Sequence, residues 1–551
     1  MAKSDFRIDI LGTAITISTD EEPERLNKLL DKYRKTIENV QNISGLKDPL
    51  RTAVLTGFLL CDELEKAGET AAAGSGDAPE SAEAEKLTIG MISRLDELVP
   101  VDSENALPAN DPPAIEPQPE PELRNELYKN AIFLKLENTV KNYEWGSTEW
   151  IPVLVGQKNH SRIPWAELWM GVNPGGPSTT TIPNEGNNEN LSPILLSELI
   201  EKDKEFFLGK EAAETYGTLP FLFKVLAAGK PLSIQVHPNP EQAREGFNRE
   251  NQAGIPLSSP ERNYKNPSHK PEILCAMGPF AALCGFREAS EIRELLAILS
   301  GNSGGAIKAS LENLMYALKQ EDENPYEAFL TALFCMGNEE RGALGPYIKN
   351  QAPRLMKYNP EHKDEWELCS YFAGLYPGDP GIIAPLYLNI IELDAGEAIY
   401  IPAGIFHAYI HGMGMELMAD SDNVLRGGLT PKHVDPDELL RILNFSEYKP
   451  DIIKIPSHHS SWFCYPSPAR EFVLSVINCT EGEAFSLRET GPAIAIVTRG
   501  SAAVSTEESG NLTMIQKGES IFIPAGKNRQ LSFHGNFTAH IASIGVTGPI
   551  P

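Results

Sequence analysis

No run of apolar residues in this chain is long enough to cross a bilayer, and Met1-Ala-Lys-Ser-Asp-Phe6 lacks the basic-then-apolar layout of a secretory leader. Neither membrane insertion nor export is expected. No two cysteines form a Cys-x-x-Cys pair, and their total of seven is odd. That disfavours a disulfide framework and fits reduced thiols in a cytoplasm. Positive charge is also scarce: 48 Lys and Arg against 76 Asp and Glu leave a net charge of −28. Such a balance excludes a broad nucleic-acid surface. It leaves room for a small basic pocket that binds a phosphorylated metabolite, because local charge decides that.

What is present is enough for several domains: 551 residues, of which 41% are hydrophobic. Residues 6–19 alternate as two short strands around Gly12. Asp20-Glu-Glu-Pro-Glu24 reads as a capped, acidic helix start. Leu26, Leu30, Tyr33, Ile37 and Val40 follow at spacings of four and three, and a second helix from Pro49 carries Val54, Leu55, Phe58, Leu59 and Leu64. A unit this small has little core of its own, so self-association through residues 1–99 is expected. A low-complexity stretch at 67–86 breaks the helical pattern, and residues 100–125 form an acidic, proline-rich linker.

From 126 onward strands dominate, interrupted by helical spacing over 287–375 and resuming at 376–450 and 451–551. Gly396-Glu-Ala-Ile-Tyr-Ile-Pro-Ala-Gly404 recurs 122 residues later as Gly518-Glu-Ser-Ile-Phe-Ile-Pro-Ala-Gly526, with seven identities in nine positions. Each copy reads as turn, buried strand and glycine-permitted turn. The first also fits a cupin pattern ending on His407, where the second has Arg529. The expected fold is thus multidomain and mainly β: two cupin, or jelly-roll, domains with a helical insertion, of which only the first holds metal. The small α+β module and the linker precede them.

The metal would lie where Gln235 and His237 alternate along an apolar strand, joined by Glu272 and His407. An amide oxygen, two imidazoles and a carboxylate suit a divalent cation. Glu241 stands at the usual cupin carboxylate spacing, but Pro240-Glu241 also reads as the first turn of a helix capped by Asn239. That second reading is preferred, which leaves the ligand role to Glu272.

Two resemblances add to this. Residues 5–66, through Ile8-Asp-Ile-Leu-Gly-Thr-Ala-Ile-Thr-Ile17 and Arg51-Thr-Ala-Val-Leu55, resemble a ZapA-like cell-division protein. The likeness implies dimers or larger oligomers and association with the division-ring GTPase FtsZ, hence enrichment at the division site. Residues 127–548 resemble a type I phosphomannose isomerase. The motifs that carry this are Tyr143-Glu-Trp-Gly-Ser147, Ala166-Glu-Leu-Trp-Met-Gly171, Pro231-Leu-Ser-Ile-Gln-Val-His-Pro238, His269-Lys-Pro-Glu272, Tyr376-Pro-Gly-Asp379, His407-Ala-Tyr409 and Ser421-Asp-Asn423 through Gly428-Leu-Thr-Pro431.

This second likeness implies one zinc per chain on Gln235, His237, Glu272 and His407, and interconversion of mannose 6-phosphate and fructose 6-phosphate. It puts His269, Lys270, Glu416, Asp422 and Arg426 in the pocket. His269 is favoured for proton transfer because imidazole titrates near neutrality, and a paired Asp422 and Arg426 for ring opening. Tyr409 is read as a donor to a sugar oxygen. Lys224, Ser233 and Lys432 are read as phosphate and substrate groups, Trp145 as the edge of the sugar site, and Trp169 as core. The competing readings are a catalytically silent division scaffold and a cupin metalloenzyme of another class. Lys270, Arg426 and Lys432 beside an intact ligand set favour the isomerase.

Overall fold

The computed structural model describes residues 4–10, 13–19, 30, 33, 35–37, 128, 133–181, 193–301, 303–319, 324–456, 461–488, 491–506, 512–525 and 530–545. The chain divides into two units, Met1–Glu116 and Pro117–Pro551. In the first, Ser4–Ile10 and Thr13–Thr19 pair antiparallel, with Phe6 opposite Ile17 and Ile8 opposite Ile15. Most of the helices expected after residue 20, the break at 67–86 and the linker at 100–125 lie outside the described residues.

The second unit is mainly β. Its described strands fall largely into a ten-stranded and a nine-stranded sheet, with helices gathered between Ala289 and Tyr387. Phe221–Ala228 is buried on both faces, which explains why it reads as a near-continuous apolar run. Leu226 and Ala228 join Leu274, Ala276, Ile399 and Ile401 in one core. The alternate residues Val225, Ala227, Ile273 and Cys275 pack with Leu474, Val476, Ile494 and Ile496 of the nine-stranded sheet. The period of two therefore serves two cores at once.

One strand organises the site. His407–Ala419 runs for 13 residues and changes partners midway. Residues 407–411 pair with Phe280–Phe286, and residues 412–419 pair with Phe221–Ala228. Gly412 stands at the changeover with φ 131°. A Cβ there would come within 2.8 Å of Phe280 Cα and Pro279 O. Glycine is required by both the dihedral and the close approach.

The two copies of the repeat occupy comparable places. Ala398–Ile401 lies in the ten-stranded sheet and Ser520–Ile523 in the nine-stranded one. The glycines that open them share a left-handed backbone, φ 86° at Gly396 and 85° at Gly518. Gly526 and Arg529 lie outside the described residues. The strand expected at 131–136 is seen at Leu134–Leu136, but it pairs with Ser520–Ile523. The segment that opens the unit thus joins its C-terminal sheet.

Gly412→Ala is expected to destabilise the second unit by about 2 kcal/mol, from the strained dihedral and the clash. A chemical denaturation midpoint equal to that of the unchanged chain would contradict this.

Candidate metal centre and cavity

Strand register brings the polar residues together. Gln235 stands opposite both His407 and Arg426, while Glu416 stands between Lys224 and Leu274 on neighbouring strands. Glu272 begins the strand Glu272–Ala276, opposite Met418 and Ile401. The Pro402-Ala-Gly404 turn is tied to the other ligand strand, because Gly404 N–H donates to His237 O at 2.9 Å.

His237, Glu272 and His407 are 2%, 0% and 0% exposed, and their ligand atoms all lie within 4.8 Å of one another. Each Nε2 lies 3.3 Å from a Glu272 oxygen. The opposite ring nitrogens donate to backbone: His237 Nδ1 to Asn423 O at 2.8 Å and His407 Nδ1 to Ile405 O at 2.9 Å. That tautomer turns an Nε2 lone pair inward on both rings. Burial, and then the Lys270 ammonium, pushes the His237 imidazole down to about 4, so it is neutral. Burial opposes ionisation of Glu272, but the Lys270 ammonium holds its carboxyl well below the usual carboxylate range.

Neither Nε2 nor either Glu272 oxygen has a hydrogen-bond partner, although Lys270 Nζ forms an ion pair with Oε1 at 2.8 Å. Buried polar atoms left this way are costly unless a ligand satisfies them. Two imidazoles, a carboxylate and the adjacent Gln235 amide fit a divalent cation, and the donor set suits zinc. Glu241 lies exposed in the first turn of Pro240–Gln252, behind a capping box between Asn239 and Gln242. It is not part of the cluster.

Above the cluster is a cavity of about 1330 Å³. Its lining includes Gln235, Lys270, Glu416, Asp422, Arg426, Trp145, Lys224, Ser233 and Lys432, together with Lys141, Lys230 and Lys265. A chain with net charge −28 thus concentrates seven basic side chains around one hollow. Lys224 Nζ bridges Glu416 at 2.9 Å and Glu167 at 3.4 Å. Burial would discharge Lys224, but the two carboxylates outweigh it and keep the ammonium protonated. Burial, helped by the Glu272 and Glu167 carboxylates, raises the Glu416 carboxyl against the opposing pull of the Lys224 and Lys270 ammonium groups.

Several expected placements differ. His269 does not line the cavity; its Nε2 pairs with Glu471 at 2.8 Å. Tyr409 is fully buried, packed edge-on against Phe280, and is also absent from the lining. Asp422 and Arg426 both face the cavity, but no ion pair joins them; among the described residues Arg426 has no carboxylate within salt-bridge distance. Trp169 is buried as expected, yet it also lines the cavity, donating through Nε1 to Glu167 at 2.9 Å. Glu167 was not foreseen. Its two-residue spacing from Trp169, which stands opposite Lys224, was the available signal.

A buried histidine–carboxylate cluster beneath a cationic hollow defines a metal-dependent enzyme for a small anionic substrate. Residues 133–289 match the family described as phosphomannose isomerase type I, catalytic domain, and residues 7–98 match cell division protein ZapA. The chain is 36% identical to mannose-6-phosphate isomerase of Escherichia coli, over 72% of this chain and 95% of that protein. It is 32% identical to mannose-6-phosphate isomerase 2 of Arabidopsis thaliana, over 71% and 88%. A crystal structure of the Salmonella typhimurium isomerase with substrate (f6p) and zinc superposes with TM-score 0.66 at 34% identity, covering 76% of this chain and all of that one. The chain belongs to the type I phosphomannose isomerase family, and the segment ahead of that region matches the ZapA model over residues 7–98, past the 5–66 of the sequence resemblance.

Acid should weaken the metal-free protein. His237, and His540 in the C-terminal sheet, are both pushed down to about 4 by burial, against roughly 6.5 when unfolded. Between those values the unfolded chain binds more protons. The stability is therefore complete above about pH 6.5 and is lost as pH falls towards 4, by about 3 kcal/mol for each ring. A urea midpoint that stays constant from pH 6.5 to 4.5 would contradict this.

Proposed function

We propose that the chain is a zinc-dependent mannose-6-phosphate isomerase on two jelly-roll domains, with one zinc per chain held by Gln235, His237, Glu272 and His407. The observation that carries this reading is the unsatisfied His237–Glu272–His407 cluster, whose neighbours Gln235 and Lys270 line the cationic cavity. When bound, zinc would polarise the sugar oxygens and stabilise negative charge on them.

The chain's residues supply the rest. Opening the pyranose requires a proton at the ring oxygen and removal of one from the C1 hydroxyl. Asp422 and Arg426, both on the cavity wall, are assigned to this. Isomerisation then breaks C2–H and protonates O1 to give an enediol; loss of the O2 proton and protonation of C1 complete the ketose. His269 is turned towards Glu471, so proton transfer between the carbons is assigned to Glu416, whose raised carboxyl is a better base near neutral pH. The ammonium groups of Lys224 and Lys270 face the developing oxyanion. Lys432 and Ser233 are assigned to the phosphate and hydroxyl groups, and Trp145, stacked on Tyr143 at 5.7 Å, to the sugar's edge.

The front segment adds assembly. Its ZapA match and its apolar helical stripe support self-association through residues 1–99, with FtsZ as partner and a cytoplasmic location enriched at the division site. Sedimentation is expected to show the full chain as a dimer or larger and the chain starting at residue 126 as having lost that assembly. Equal oligomeric states would contradict the role.

For catalysis, a coupled assay with mannose 6-phosphate should yield fructose 6-phosphate, stop on chelation and recover with zinc. Arg426→Ala should lower kcat/KM by roughly 100-fold or more. Metal-loaded protein that forms no fructose 6-phosphate would falsify the isomerase reading.

A further inference from the structure

The motif Tyr376-Pro-Gly-Asp379 has no part in the chemistry described above, yet it touches both cavity walls. It follows the helix Lys363–Leu375, at the exit of the helical insertion. Tyr376 OH donates to Pro231 O at 3.2 Å, on the stretch that leads to Gln235 and His237. Asp379 reaches the opposite wall. Its Oδ1 accepts from Gly381 N at 2.7 Å, its Oδ2 accepts from Thr430 N at 3.2 Å, and Leu429 N–H also faces the carboxylate.

The turn held in this way is not one the chain adopts freely. Leu429 has φ 53°, which is rare for a residue with a branched side chain, and Gly428 has φ 143°. A Cβ on Gly428 would lie 2.9 Å from Asp379 Oδ1 and 3.0 Å from Gly381 Cα, so the two loops are pressed together. Successive N–H groups turned to one side form an anion-binding concavity, and here the protein fills it with its own carboxylate. Arg426 lies just before this turn and Lys432 just after it, and both line the cavity. Among the described residues no carboxylate lies within salt-bridge distance of Arg426 to fix it, so its position depends on its backbone.

We propose that Asp379 is a positioning residue: it clamps the strained 428–430 turn and so sets Arg426 and Lys432 for the anionic substrate. This rests on the isomerase reading for the identity of the substrate. The clamp couples the helical insertion to the cavity, so the insertion supports substrate binding as well as packing.

The test is Asp379→Ala in the full-length, zinc-loaded protein, with Asp379→Asn as the milder variant that keeps the acceptor for Gly381 and gives up the one for Thr430. KM for mannose 6-phosphate should rise about tenfold in Asp379→Ala, with kcat within threefold of the unchanged chain, and Asp379→Asn should fall between. In a double-mutant cycle, adding Asp379→Ala to Lys432→Ala should raise KM much less than it does alone. Fructose 6-phosphate binding by calorimetry should weaken by the same factor. That measurement reports on the clamp even if the unchanged chain has no turnover, an outcome that would count against the isomerase reading alone. Unchanged KM and binding in both variants, or fully additive effects with Lys432→Ala, would overturn the proposal.

Discussion

The second unit is built around a carboxylate placed where water cannot reach it. Glu272 is completely buried at the meeting of three strands, within 3.3 Å of two imidazoles and 2.8 Å of an ammonium. Left alone, such a group would cost the fold several kcal/mol. The surroundings are arranged so that it is not alone. Backbone carbonyls hold both histidines in the tautomer that presents a lone pair, and Asn423, which supplies one of those carbonyls, also ties down the 265–268 loop ahead of Lys270. A bound cation is the remaining element that this geometry asks for.

The same economy of placement explains the charge distribution. The chain carries a net charge of −28, yet seven basic side chains converge on one hollow, so the local charge there runs against the net charge. Lys224 is shared between Glu167 and Glu416, and burial still leaves the Glu416 carboxyl with a raised affinity for protons. A proton-transfer group next to a metal cluster needs this property. The long strand His407–Ala419 carries a candidate ligand at one end and that carboxyl further on, with Gly412 at the point where the strand changes pairing partners.

Much of this was legible in the sequence. Gln235 and His237 shared a face by their alternation, the repeat located His407 after a turn, and the capping pattern at Asn239 put Glu241 in a helix, where the structure has it, outside the cluster. The parts that were missed depend on long-range register. Nothing near His269 indicates that Glu471, 202 residues away, will take its imidazole. Tyr409 alternates with His407 on one strand, but Phe280 closes over it. Asp422 and Arg426 have the spacing of a pair, yet the strand Leu425–Gly428 registers Arg426 opposite Gln235, with no ion pair to Asp422 among the described residues. Glu167 and Asp379 act through contacts made by strands and loops distant in sequence, which local patterns do not encode.

The central claim is that His237, Glu272 and His407, with Gln235, hold one zinc. X-ray absorption at the zinc edge on purified protein, with elemental analysis of the same sample, tests it most directly. The account predicts one zinc per chain in a nitrogen and oxygen shell near 2.0–2.1 Å, with the scattering signature of two imidazoles. That signature should be lost in Glu272→Ala together with the metal. A sulfur-containing shell, or full zinc content retained in Glu272→Ala, would contradict it.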